Sequence, residues 1–157
     1  MSKITPATLA LTKADIAFTL ASYDYDPNAE RVGLQAAEAI GAAPGEVFKT
    51  LMLELDGKPV CAIVPSDEEV NMKKLAAALG GKSASMMKPA DAERLTGYKV
   101  GGISPLGQRK RVPTALDELS LLYDEIYLNG GQRGLQIRMR PADLVAVLDC
   151  TVADLTR

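Results

Sequence analysis

Histidine is absent from the chain, and with it go the commonest general base and the commonest metal ligand. Nucleophiles of the Ser-His-Asp and Cys-His kinds are therefore excluded. The two cysteines, Cys61 and Cys150, show no paired spacing. They are too few for a disulfide framework and do not make a usual zinc set, so no metal site is expected, a carboxylate-held magnesium being the one chemistry left open. With no histidine to generate a thiolate, Cys61 in its apolar strand reads as a small core residue, and Cys150 similarly. No cofactor-binding pattern stands out. No run approaches the ~20 apolar residues of a membrane-spanning helix. At the N-terminus, Lys13-Ala14-Asp15 interrupts the stretch where a signal peptide would carry its apolar run. A cytoplasmic protein without a membrane partner is expected. A large charge excess is also missing: the net charge is -2, so any contact with a polyanion such as RNA must be local.

What is present suits one folded unit, 1–157. Hydrophobic residues make up 47% and charged residues 24% of 157 positions, enough to bury a core. Thr5 followed by Pro6 predicts a helix start, and "AFTLASYDYD" reads as a strand. A helix is expected between Gly33 and Gly41, then strands "VFKTLMLEL" and "KPVCAIVP" joined by an Asp56-Gly57 hairpin turn. "NMKKLAAALGG" and "KPADAERLTG" are short helices closed by glycine. "LLYDEIYLNGGQRGLQIRMR", from Leu121, contains two strand-like runs around Asn129-Gly130-Gly131, and "PADLVAVLDC" is a last, proline-started helix. Hairpins mixed with short helices imply an α+β domain, a mixed sheet or partly closed barrel flanked by helices.

Three segments attract chemical attention. Strand alternation in "VFKTLMLEL" groups Lys49 with Val47, Leu51, Leu53 and Leu55, so a cation shares an apolar side. On pattern alone the simpler reading is a strand-end lysine that snorkels to solvent; the other is a cation at a cleft rim with its pKa open to desolvation. In "TGYKVGGISPLGQRKRVPT", Gly101-Gly102 allows close backbone approach to a ligand. The turn Ser104-Pro105-Leu106-Gly107 offers a hydroxyl and N–H groups that could converge on an oxygen, or is a plain connecting loop. Arg109, Lys110 and Arg111 follow at once, as a phosphate track or as solvated surface. In "NGGQRGLQI", a tight hairpin accounts for Asn129, Gly130 and Gly131, whereas Gly134 marks a bulge or a point of close approach to the backbone. One of Tyr23 and Tyr25 is placed to offer a hydroxyl to a cleft.

Lys49 in "VFKTL", then "TGYKVGGISPLGQRKRVPT", then "NGGQRGLQI", in that order and spacing, resemble the YbaK/EbsC family of aminoacyl-tRNA deacylases, along essentially the whole chain. The resemblance implies the fold of the editing domain inserted in bacterial prolyl-tRNA synthetases, here acting in trans on mischarged tRNA(Pro), with prolyl-tRNA synthetase as a further partner. It implies that Lys49 is the residue most closely tied to activity and reverses the simpler reading of that lysine. It further implies that Gly101, Gly102, Ile103, Ser104 and Pro105 form a substrate-binding loop, that Tyr23 stands near the pocket, and that Gly130, Gly131 and Gly134 belong to a glycine-rich hairpin. Substrate assistance, the cysteine thiol of Cys-tRNA(Pro) attacking its own ester, is the implied mechanism. The rivals are water-mediated removal of alanine from Ala-tRNA(Pro) and a non-catalytic module that binds an aminoacyl or nucleotide ligand, or accompanies prolyl-tRNA synthetase. One departure stands out: Gln136 occupies "GLQI" where family sequences can carry an acidic residue.

Overall fold

A computed structural model describes residues 4–26, 28 and 32–157. Thr5 caps α1 (Pro6–Lys13) by accepting the Thr8 N–H, and the Thr8 hydroxyl reciprocates on the Thr5 backbone, so two N–H groups at the helix end are satisfied. The Thr5 hydroxyl also donates to Gly130 O at 2.6 Å, which fastens α1 to a distant hairpin. The first strand, β1 (Thr19–Ser22), is shorter than "AFTLASYDYD" suggested. One more bond, Tyr23 N–H to Gly134 O, extends the register past the end of its partner strand. The glycine-bounded helix is α2 (Val32–Ile40).

β2 (Phe48–Leu55) and β3 (Lys58–Pro65) form the expected hairpin. Both turn residues, Asp56 and Gly57, have positive φ, the geometry that matches strand twist in a two-residue turn. α3 (Met72–Ala78) is capped by the Asn71 side chain, and α4 (Pro89–Thr96) ends on Gly97 in the left-handed region. β4 (Ala84–Met86), β5 (Thr114–Asp117) and β8 (Thr151–Ala153) are strands that alternation did not single out. Between β5 and β8 the chain forms the hairpin β6 (Ile126–Asn129) and β7 (Leu135–Met139), followed by α5 (Pro141–Leu148). The run beginning at Leu121 is not strand at its start: residues 118–122 form a 3₁₀ turn capped by Asp117.

The strands make two sheets. One is antiparallel, ordered β1-β7-β6; the other is mixed, ordered β4-β2-β3-β5-β8, with β3, β5 and β8 parallel. A parallel bridge between Val47 and Tyr127 links them, which gives the partly closed, helix-flanked α+β architecture. Phe48, Met52, Cys61 and Ile63 pack with α1, α4, α5 and the three-stranded sheet, whereas Leu53, Leu55, Val60, Ala62 and Val64 pack with α3. The larger sheet is thus buried on both faces. That corrects the picture of one apolar side on β2, and explains why β3 is nearly continuous in hydrophobic residues.

Asp117, fully buried at the end of β5, accepts Leu119 N–H with one carboxylate oxygen and Leu155 N–H with the other, at 3.0 and 2.8 Å. Truncation strands both donors. Asp117→Ala is expected to lower unfolding free energy by about 1–3 kcal/mol, read as a lower urea midpoint at unchanged m-value.

Candidate functional site

β4 covers only Leu53, Glu54 and Leu55 of its neighbour. The N-terminal half of β2 therefore has an open flank, and a cleft of about 440 Å³ lies there, within the range of small-ligand sites. Lys49, Thr50 and Met52 of β2 form one wall, Met86, Met87 and Ala92 another. Tyr23, Gly101, Ile103, Asn129 and Gln136 close it from the other sheet and the loop after α4. Lys49 is half-buried on this wall, a cation in largely apolar surroundings.

The loop is built by its own side chains. Gly97 turns the chain out of α4 at φ +82°, where a Cβ is disfavoured. Tyr98 is buried beneath the loop, and its hydroxyl donates to Leu106 O at 2.6 Å; burial pushes its phenol up to about 12. Arg109 N–H donates to Thr96 O at 2.9 Å and shuts the base. Across the cleft, Asn129 donates from Nδ2 to Gly101 O at 3.1 Å and accepts Gly131 N–H at 2.7 Å. One side chain thus ties the loop to the β6–β7 turn.

The predicted site residues divide. Lys49, Tyr23, Gly101 and Ile103 meet in the cleft. Gly102 and Gly131 face a second groove on the outer side of the loop. Ser104 is fully buried; its Oγ accepts Leu106 N–H and its carbonyl accepts Gln108 Nε2, so its hydroxyl shapes the turn instead of reaching the cleft. Pro105 is buried beside it. Gly130 is held by Thr5 and by pairing with Leu135. Its φ is not positive; Gly131 and Gly134 supply that, at +91° and +80°, so the hairpin loop is longer than the tight Asn-Gly-Gly turn expected. At Gly134 a Cβ would sit 2.5 Å from Tyr23 O: the close approach anticipated there is made by the chain's own backbone. Arg109 lies against Gly97, and Arg111 donates to Val147 and Leu148 carbonyls at the end of α5, a position that suits a cation.

Between the two tyrosines the structure chooses Tyr23 for the cleft, while Tyr25 stacks under the Arg133 guanidinium at 5.3 Å. Burial pushes the Tyr23 phenol up, against the effect of a hydrogen bond from the Gln136 side chain. Tyr23 therefore presents a neutral hydroxyl at neutral pH. Asn129, Thr50, Ser66 and the methionines were not singled out as site residues. Only Asn129 left a trace, as the polar residue before two glycines. Oγ1 of Thr50 and Oε1 of Gln136, both on the cleft wall, have no hydrogen-bond partner within the described residues.

No thiol competes for the role of nucleophile. Cys61 is fully buried and its thiol is pushed up to about 12 by burial, and burial also raises Cys150. Among the described residues no cluster of three or more Cys, Asp or Glu side chains is placed to hold a metal ion, and no helix is long and apolar enough to cross a membrane.

Comparison with known proteins gives a consistent picture. The family described as the aminoacyl-tRNA editing domain matches residues 26–147. EbsC of Enterococcus faecalis, named for deacylation of Cys-tRNA(Pro) and Cys-tRNA(Cys), is 38% identical over 121 residues, 76% of this chain and 74% of its own. The multifunctional Ser/Thr-tRNA deacylase ProXp-y of Escherichia coli is 29% identical over 116 residues, 71% of this chain and 70% of its own. A solved structure presented as a trans-editing enzyme for prolyl tRNA synthetase superposes with a TM-score of 0.79 at 25% identity, covering 98% of this chain and 99% of that one.

Proposed function

The chain belongs to the aminoacyl-tRNA editing domain family, and on that premise we propose that it is a cytoplasmic, trans-acting deacylase that clears mischarged Cys-tRNA(Pro). The observation that carries this reading is the meeting of Lys49, Tyr23, Gly101 and Ile103 around one apolar cleft in a chain without histidine. Such a site can bind and polarise an ester but supplies no activated protein nucleophile.

Substrate assistance answers that deficit. The cysteine thiol of the bound aminoacyl group attacks its own carbonyl carbon. A C–S bond forms, the C–O bond to the ribose breaks, and the departing ribose oxygen ends with the thiol proton. The cyclic thioester then hydrolyses in water. Lys49 orients the aminoacyl group and terminal ribose, its ammonium facing the developing negative charge. Gly102 N–H is already given to Lys99 O at 2.8 Å, so the N–H groups of Gly101 and Ile103 are the donors assigned to the carbonyl oxygen. One such donor contributes about 3–4 kcal/mol to the transition state. Arg109 and Lys110 are the members of the basic run assigned to acceptor-end phosphates; Arg111, while it caps α5, has less to give.

The direct test compares hydrolysis of Cys-tRNA(Pro) and Ala-tRNA(Pro). The thiol route predicts rapid loss of cysteine, little loss of alanine, and no loss of S-methylcysteine from the same tRNA. Equal rates on all three substrates would replace substrate assistance by water attack, and binding without turnover of any would reduce the protein to a binding module.

A further inference from the structure

The loop that walls the cleft has an outer side, and that side is also hollow. A second groove of about 440 Å³ runs there, lined by Pro6, Gly97, Lys99, Gly102, Gly131 and Arg133 among others. The two hollows share a wall one strand of backbone thick. Val100 and Gly101 line the cleft, while their neighbours Lys99 and Gly102 line the groove.

The floor of the groove is two glycines packed on the chain's own turn and on Tyr98, and its flanks are basic. At Gly102 a Cβ would sit 2.8 Å from Arg133 N, and at Gly131 2.8 Å from the Tyr98 ring, so no side chain can rise from either position. Lys99 and Arg133 are exposed on its flanks. Arg133 is held in place there: its Nε donates to Val100 O at 2.9 Å and its guanidinium stacks on Tyr25, which orders the group before any ligand arrives. Arg109 lies beside Gly97 at one end. Glu93 of α4 accepts Val100 N–H at 2.9 Å on the same segment.

Resting on the deacylase reading, we propose that this groove is a phosphodiester subsite: Lys99 and Arg133 hold the sugar-phosphate backbone of the single-stranded RNA 3′ end next to the nucleoside seated in the cleft. An ester substrate with a polyanionic tail needs both hollows, and a phosphate-free aminoacyl nucleoside needs only the first. This places the principal phosphate contacts on the loop and hairpin that frame the cleft, ahead of Arg111 on the far side of the loop base.

The test uses Lys99→Gln/Arg133→Gln, with Lys99→Gln alone as a variant that leaves the Arg133 contacts intact. Three quantities are read: kcat/KM on charged tRNA, kcat/KM on the corresponding aminoacyl-adenosine, and the salt dependence of binding to a short labelled single-stranded RNA ending in CCA. The double variant is expected to lower kcat/KM on charged tRNA about tenfold, leave kcat/KM on aminoacyl-adenosine within about twofold, and reduce the slope of log Kd on log salt by about 1.4. The single variant should reduce it by about 0.7. An unchanged salt slope overturns the subsite, and so does an equal loss on both esters, which would make Arg133 a support for the cleft wall. If the wild-type protein cleaves neither ester, the deacylase reading falls, and the RNA salt slopes still decide the groove.

Discussion

Replacing Lys49 by alanine is expected to lower kcat for deacylation by about 10²–10³-fold while the protein stays folded. Lys49 is half-buried, on β2 opposite Val64, and its strand is held on one side by β3 along all eight residues of the pair. Loss of one side chain from such a strand removes stem packing but no ladder hydrogen bond. Lys49→Met separates the two contributions, because it keeps an apolar stem and deletes only the charge. Both variants should be inactive, and Lys49→Met should unfold at nearly the wild-type temperature. Lys49→Arg should not restore activity, because a planar guanidinium does not take the place of a compact ammonium at the end of a shorter donor reach. Near-wild-type turnover by Lys49→Met would remove the ammonium from the mechanism altogether.

Much of the fold was legible because its signals are local. Pro6, Pro89 and Pro141 each open a helix, Gly97 closes one, and Asp56-Gly57 makes the hairpin turn; a residue and its near neighbours decide each of these. β4, β5 and β8 escaped for the opposite reason. Strands of three or four residues carry too few alternations to register, and exist because a partner strand lies beside them. The site divides in the same way. Lys49 stood out as a cation within an apolar alternation, and the Gly101-Gly102 pair as a place of backbone freedom. Asn129, Ser66 and Met86 reach the cleft from β6, from beyond β3 and from β4. Their contribution arises from how the sheets meet, which no local pattern encodes. Ser104 is the instructive reversal, because its hydroxyl is a reasonable ligand on paper. Closing the turn on Leu106 requires that hydroxyl, and the turn in turn positions Ile103.

Gly102→Ala should impair the protein in two ways at once. Gly102 is buried, and an added methyl would meet Arg133 N at 2.8 Å, Gln132 C at 3.0 Å and Gln132 Cα at 3.3 Å. All three are backbone atoms of the β6–β7 turn, so no flexible side chain can swing aside. The loop must move away from the turn, and overpacking of this kind costs about 1–3 kcal/mol, or about 2–4 °C of melting temperature for each kcal/mol. The displacement also stretches the Asn129 to Gly101 hydrogen bond, which spans the same junction, and shifts the Gly101 and Ile103 N–H groups relative to Lys49. A misplacement of about 1 Å at reacting groups costs on the order of 100-fold in rate. The loss should appear in kcat for charged tRNA and for phosphate-free aminoacyl-adenosine alike, since the displaced Gly101 and Ile103 line the cleft that both substrates occupy. That shared loss distinguishes Gly102→Ala from Lys99→Gln/Arg133→Gln. Gly102→Ala with wild-type melting temperature and wild-type turnover would show that the junction between loop and hairpin is not what holds the cleft wall in register.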